Sequence, residues 1–150
     1  ENFLKEEHMK NATIAIVTAN YRKEVTDSME AACLKTLIAR GVVEGNITHI
    51  QIPGSLEIPL IVKKLAQKKT YDAIITFGVV LKGDTYHFEQ IANETVRACM
   101  DISLEYGIPV IYEILTVYTI QQAHDRALAR GKEAAETALK MIDVLYEITN

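Results

Sequence analysis

Tyr71-Asp-Ala-Ile-Ile-Thr-Phe-Gly-Val-Val-Leu-Lys-Gly-Asp-Thr-Tyr-His87 is the stretch on which the fold turns. Residues 71–78 form a short apolar run that predicts a buried strand ending on glycine, and from about residue 86 to 106 the apolar positions recur at helical spacing. Residues 82–85 are then the approach to a helix. The free N–H groups and positive dipole end at such a helix start attract an anion. Gly83 permits close approach of the backbone, Thr85 brings a hydroxyl, and Lys82 a mobile charge. His87 brings the side chain best suited to proton transfer near neutral pH. The reading is phosphate binding beside acid–base chemistry.

The same alternation extends in both directions. Residues 13–18 read as a strand, followed by a polar turn and a helix that stops at Gly41. Residues 46–52 alternate like a strand, Pro53-Gly54 breaks them, and residues 56–67 resume helical spacing, with Pro59 tolerable only in the first turn. After the long helix a fourth strand is expected at 110–115. Thr119 then opens a helix with Gln122 in capping-box position, a break is expected at Gly131, and a last helix at 132–148. Four strand-then-helix units with short links predict an α/β fold: a flavodoxin-like three-layer sandwich, with a four-stranded parallel sheet and helices on both faces.

The chain has 150 residues, 24% charged and 49% hydrophobic, with a net charge of -4. That is one domain of ordinary size with a core needing no disulfide or metal staple. Residues 1–12 are charged and aperiodic and are expected to form an N-terminal arm, partly of added, non-native sequence, with the domain proper at 13–150. The negative charge argues against nucleic acid as a partner. Lys63, Lys64, Lys68 and Lys69 read as a solvated helix face, as do Glu94 and Arg97. No apolar run reaches the roughly 20 residues that span a bilayer, so no membrane partner is expected. Cys33 and Cys99 have no metal-ligand spacing and read as buried, inert thiols in a cytoplasmic protein. No metal site is expected.

In a parallel sheet, ligands bind beyond the carboxyl ends of the strands. The four loops expected there, at 19–23, 53–57, 80–87 and 116–118, carry Tyr21, Ser55, Glu57, Lys82, Thr85 and His87. An aromatic platform, a carboxylate, phosphate donors and a base describe a small-molecule pocket. The plainer readings are that Glu57 is a first-turn acid favoured by the helix dipole, that Arg126 pairs with Asp125 or Glu133, and that Tyr112 and Tyr118 only pack at the sheet edge. His8, His49 and His124 lack any comparable setting.

Three strings occur in order: Pro53-Gly-Ser-Leu-Glu-Ile-Pro59, Gly78-Val-Val-Leu-Lys-Gly-Asp-Thr-Tyr-His87, and Leu115-Thr-Val-Tyr-Thr-Ile-Gln-Gln-Ala-His-Asp-Arg126. Over residues 13–141 the chain closely resembles the 6,7-dimethyl-8-ribityllumazine synthase family. The resemblance implies a transferase of riboflavin biosynthesis that needs no cofactor. It would condense 5-amino-6-(D-ribitylamino)uracil with 3,4-dihydroxy-2-butanone 4-phosphate and release phosphate and water. By the same resemblance Tyr21 would stack on the pyrimidine, Glu57 would bind the ribityl hydroxyls with Ser55 and Leu56 flanking, and the backbone at Val80 and Leu81 would read the pyrimidine edge. Lys82 falls at a position commonly Arg; Gly83, Asp84 and Thr85 would bind phosphate and His87 would move protons. Arg126 would pair with the phosphate, and both it and Tyr112 would come from a neighbouring subunit of a homopentamer, alone or in a 60-subunit shell.

The chain departs from the family at several places. Tyr21-Arg22 replaces a usual Phe-Asn pair, Leu56 an aromatic, and Glu113 a glycine. A short link at 127–131 replaces a longer Gly/Lys/Asn-rich loop, with Arg130 in place of its lysine, which leaves pentamer against shell open. The other readings are a catalytically silent or engineered relative serving as oligomeric scaffold or flavin-like ligand binder, and an unrelated flavodoxin-like phosphate or nucleotide binder. The lack of a GxGxxG or Walker-type loop disfavours the last.

Overall fold

Ile14, Ala15, Ile16 and Val17 are all fully buried, in one unbroken apolar run. A strand that hides both of its faces belongs in the middle of a parallel sheet covered on two sides. In the computed structural model, which describes residues 2–149 and the side chains of 6–149, this strand, β1 (Ile14–Ala19), has that place. The sheet order is β2-β1-β3-β4, all parallel, with β2 at Ile47–Ile52, β3 at Ala73–Leu81 and β4 at Val110–Val117. The helices are α1 (Asn2–Asn11), α2 (Lys23–Ala39), α3 (Ile58–Gln67), α4 (His87–Tyr106) and α5 (Ile120–Thr149).

Strand alternation divides the core into two layers. Ile14, Ile16, Ile75, Phe77 and Leu115 face α2 and α5; Ala15, Val17, Ile74, Val80 and Ile114 face α3 and α4. This is the expected flavodoxin-like three-layer sandwich. The strand order reverses between β1 and β3, so the crevice of the sheet lies between their carboxyl ends. Helix ends follow local chemistry. After α2, Val42 N–H donates to Leu37 O at 3.1 Å and Gly41 N–H to Ile38 O at 3.0 Å, a Schellman closure with Gly41 at φ 103°. Gln122 accepts from the N–H groups of Tyr118 and Thr119, while Thr119 Oγ1 accepts from Gln122 N–H, completing the capping box that opens α5.

Four expectations need correction. Gly78 does not end β3; it pairs within the ladder to Ile114, and the strand runs on to Leu81. β4 likewise continues to Val117, two residues past the expected end. Gly131 does not break a helix, since α5 runs unbroken for 30 residues and leaves no link at 127–131. A Cβ on Gly131 would stand 2.2 Å from Met29 O and 3.0 Å from Ala32 Cβ, so this glycine lets α5 lie against α2. Residues 2–11, expected as an aperiodic arm, form helix α1, with Met9 packed on the core and Asn46 donating to Lys10 O at 3.0 Å. The four lysines of α3 and its end are exposed as expected. No helix of the described residues is long and apolar enough to cross a membrane.

Gly131→Ala tests the close helix contact. Alanine gains about 1 kcal/mol of helix propensity, but the clash is with backbone and costs about 1–3 kcal/mol as overpacking. The urea midpoint of the variant falls below that of the parent; an equal or higher midpoint contradicts the packing.

Candidate active site

Three loops leave the carboxyl edge around the crevice. At the end of β1, Asn20 N–H donates to Ile52 O at 2.8 Å, tying the ends of β1 and β2 together. Tyr21 follows, 63% exposed, with the Arg22 guanidinium 5.1 Å from its ring centroid. That cation–π contact orients the ring from its own neighbour in sequence.

After β2 the chain turns at Pro53-Gly54 into a 3-10 turn, Ser55–Glu57, that leads into α3 with Pro59 in its first turn. Ser55 is buried against β3: its Oγ lies 2.6 Å from where a Cβ on Gly78 would stand. Glycine at 78 is therefore clearance for this turn rather than a bend. Among the described residues Ser55 Oγ has no hydrogen-bond partner. Glu57 precedes α3 but makes no capping bond. Its Oε1 lies 2.9 Å from where a Cβ on Gly54 would stand, so the carboxylate folds back over the loop. Its place at the N-cap of α3 keeps the plain reading of Glu57 as an acid favoured by the helix dipole alongside the functional one.

After β3, Lys82 N–H donates to Val117 O at 2.9 Å, and residues 82–86 form an exposed loop into α4. Thr85 Oγ1 accepts from His87 N–H at 3.4 Å, and Gly83 has open space where a Cβ would stand. Lys82 is less mobile than expected. Its Nζ lies 3.4 Å from Glu89 Oε1 and 5.8 and 5.6 Å from the ring centroids of Phe88 and Tyr118.

These loops enclose a cavity of about 430 Å³. Tyr21, Ser55, Leu56, Glu57, Val80, Leu81 and His87 all line it, and its size suits a small organic ligand. Residues 82–85 adjoin the cavity without lining it. Phe88 and Ile91 line it too and were missed, although Ile91 stands one helical turn from His87 on the same face of α4. A cavity of similar volume, about 440 Å³, sits against the far end of α5 and residues 106–109; it lies away from the carboxyl edge where such sheets bind ligands.

Tyr112 and Arg126 are not at the main cavity. Both border a separate hollow of about 240 Å³ beside β4 and α5, with Glu113, Thr116 and Arg130. The Tyr112 hydroxyl lies 2.7 Å from Thr95 Oγ1, and burial raises its pKa, so this ring also serves packing against α4. Arg126 Nη1 donates to Gln122 O at 3.0 Å. Among the described residues no carboxylate pairs with it; Glu133 pairs with Arg130 instead, at 3.4 Å. Glu113, a side chain only 13% exposed, lies 4.0 Å from Arg130. Burial pushes its carboxyl up to about 6 against the pull of Arg130, with Glu133 adding to the rise.

Burial pushes the Cys33 thiol up to about 12 and the Cys99 thiol up to about 11, which leaves both protonated and unreactive as expected. Arg97 pairs with Glu94 at 2.6 Å and Asp101 at 2.9 Å on the face of α4, also as expected. No group of three or more His, Cys, Asp or Glu side chains able to hold a metal occurs among the described residues.

The first two sequence strings bring a carboxylate and an imidazole to one cavity beside Tyr21, with a glycine-containing loop leading into a helix, while the third string borders the separate hollow. Comparison with known proteins bears on the whole domain. The family model described as 6,7-dimethyl-8-ribityllumazine synthase matches residues 11–146. The chain is 40% identical over 136 residues to the 6,7-dimethyl-8-ribityllumazine synthase of Paracidovorax citrulli, covering 91% of this chain and 88% of that protein. It is 39% identical to that of a Polaromonas species over the same shares, and 36% identical over 140 residues to that of an Acidovorax species, covering 93% and 91%. A match that spans the sheet, the cavity loops and most of α5 makes this chain a member of the 6,7-dimethyl-8-ribityllumazine synthase family.

Proposed function

We propose that the chain condenses 5-amino-6-(D-ribitylamino)uracil with 3,4-dihydroxy-2-butanone 4-phosphate to 6,7-dimethyl-8-ribityllumazine, releasing phosphate and water in riboflavin biosynthesis. The observation that carries the residue assignment is the convergence of Tyr21, Glu57, Val80, Leu81 and His87 on one cavity, next to an exposed loop at a helix start. Tyr21 stacks on the pyrimidine ring. Glu57, folded over Gly54, accepts hydrogen bonds from ribityl hydroxyls, with Ser55 and Leu56 beside it. The free Ser55 Oγ supports a polar ligand group at that end. The carboxyl-terminal backbone of β3 at Val80 and Leu81 reads the pyrimidine edge.

The phosphate group sits on residues 83–85 and the amino end of α4, where exposed N–H groups and the helix dipole favour a dianion. Lys82, held near the rings of Phe88 and Tyr118, contributes field rather than a direct contact. His87 removes a proton from the attacking amine and returns one to the departing water as the imine forms. It then moves the proton whose loss drives phosphate elimination. Such transfer contributes about 10²–10⁴-fold. The rest comes from holding the amine against the ketone in a fixed pocket.

Arg126 and Tyr112 line a different hollow from His87 on the same chain. This supports a site shared between copies, in which one subunit brings the cavity and its neighbour brings Arg126 to the phosphate. We read the assembly as a homopentamer or a 60-subunit shell of pentamers, and the protein as cytoplasmic, with residues 13–150 as the domain.

Lumazine formation from the two substrates, followed by absorbance and corrected for the uncatalysed condensation, tests the reading with His87→Ala alongside. The parent exceeds background, and the variant slows on the order of 10²-fold while remaining above it. An unchanged rate removes His87 from proton transfer; background rate in the parent removes the function. Light-scattering mass separately distinguishes the pentamer and the shell from a monomer, which would contradict the shared site.

A further inference from the structure

The hollow beside β4 holds two guanidinium groups, those of Arg126 and Arg130, one helical turn apart on α5. Two guanidiniums on one face suit a phosphate dianion, since each presents paired N–H donors to its oxygens. The charge of Arg130 is not free. Arg130 Nη1 faces Glu113 Oε1 at 4.0 Å and Glu133 Oε2 at 3.4 Å. The two carboxylates differ in weight: the Glu133 side chain is 57% exposed and screened by solvent, whereas that of Glu113 is 13% exposed. Distance adds a second difference. At 4.0 Å the Glu113 contact is an ion pair without a hydrogen bond, so Arg130 is restrained but not locked.

We propose that Glu113 sets the strength of phosphate binding by this hollow: as a carboxylate it holds Arg130 against β4 and cancels its charge, and as a neutral acid it releases Arg130 to act with Arg126. The proposal rests on the function given above, in which Arg126 meets the phosphate of the butanone substrate. It assigns Glu113 as a positioning residue acting through Arg130.

The groups around Glu113 decide when the release occurs. From α5 it faces Arg130 and Glu133, and from α2 it feels the field shared with Cys33 and Glu30. Glu30 is itself engaged, accepting from Thr18 Oγ1 at 2.8 Å and lying 2.6 Å from His49 Nδ1. Cys33 is protonated and the Arg130 guanidinium keeps its charge throughout, so neither changes its field on Glu113 in the acid range. With its carboxyl pushed up to about 6, Glu113 is charged at pH 7 and largely neutral at pH 5. Anion affinity therefore rises as pH falls through about 6.

The experiment uses the assembled protein and sulfate, which stays doubly charged over this range while a phosphate monoester does not. Sulfate affinity is measured by calorimetry and by inhibition of lumazine formation, from pH 5 to 7.5, for the parent, Glu113→Gln, Arg130→Gln and the double variant. Glu113→Gln at pH 7 binds sulfate roughly fivefold more tightly than the parent, the size expected for removing one partly screened charge. Its pH dependence is flat, and the gain vanishes in the double variant. The change in kinetics falls on KM for the phosphorylated substrate rather than on KM for the uracil. Equal or weaker sulfate binding by Glu113→Gln, or a gain that survives loss of Arg130, overturns the proposal. Should Glu113→Gln not assemble, the parent against Arg130→Gln decides: the rise in affinity below pH 6 must be present in the first and absent in the second. Absence of lumazine formation in the parent sinks the proposed function, a result separate from the sulfate comparison.

Discussion

The parallel pairing of β1 with β3, both buried on two faces, is the constraint on which the molecule depends. Pairing Ile14 with Ala73 and Thr18 with Phe77 sends both strands out at the same edge, and parallel β2 and β4 follow them there. Because the order reverses between β1 and β3, their loops diverge and leave a crevice. The cavity that takes Tyr21 from one side and His87 from the other is a consequence of that divergence. Its floor depends on one further contact, the seating of Ser55 against the bare backbone of Gly78, which lets the third loop come down onto the sheet. Substitution of Gly78 changes the pocket through its wall rather than through its chemistry.

Much of this was legible in the residues. The apolar runs at 13–18 and 71–78 read as buried strands, and topology then put Tyr21, Ser55, Glu57 and His87 on one edge. What stayed hidden has physical reasons. A glycine in sequence signals either conformational freedom or missing bulk, and both Gly78 and Gly131 were read as the first when their surroundings show the second. The strand end was misjudged for the same reason, which left Val80 and Leu81 assigned to a loop. α1 was missed because its polar sequence carries little apolar periodicity, its anchor on the core being Met9. Lys82 looked free because its partners, Glu89 and Tyr118, stand 7 residues ahead and across the sheet edge. Glu113 was visible as a departure from the family, but not as a buried charge.

The two polar regions differ in kind. The main cavity offers an aromatic ring, a flexible carboxylate and an imidazole, groups that recognise and convert an organic molecule. The hollow at β4 and α5 offers two guanidiniums, that of Arg130 restrained by carboxylates, which suit an anion. One substrate bearing both a carbonyl and a phosphate needs both regions. On one chain they are separate, so under the proposed function association of copies is part of the chemistry rather than only of stability.

Subunit mixing tests that claim most directly. His87→Ala and Arg126→Ala chains, each impaired alone, are unfolded together, reassembled, and assayed for lumazine formation. If one subunit supplies His87 and its neighbour Arg126, random mixing rebuilds intact sites at about a quarter of positions, and activity rises well above the average of the two variants. A mixed assembly of the right mass whose activity equals that average would show that each chain holds its own complete site, contradicting the account.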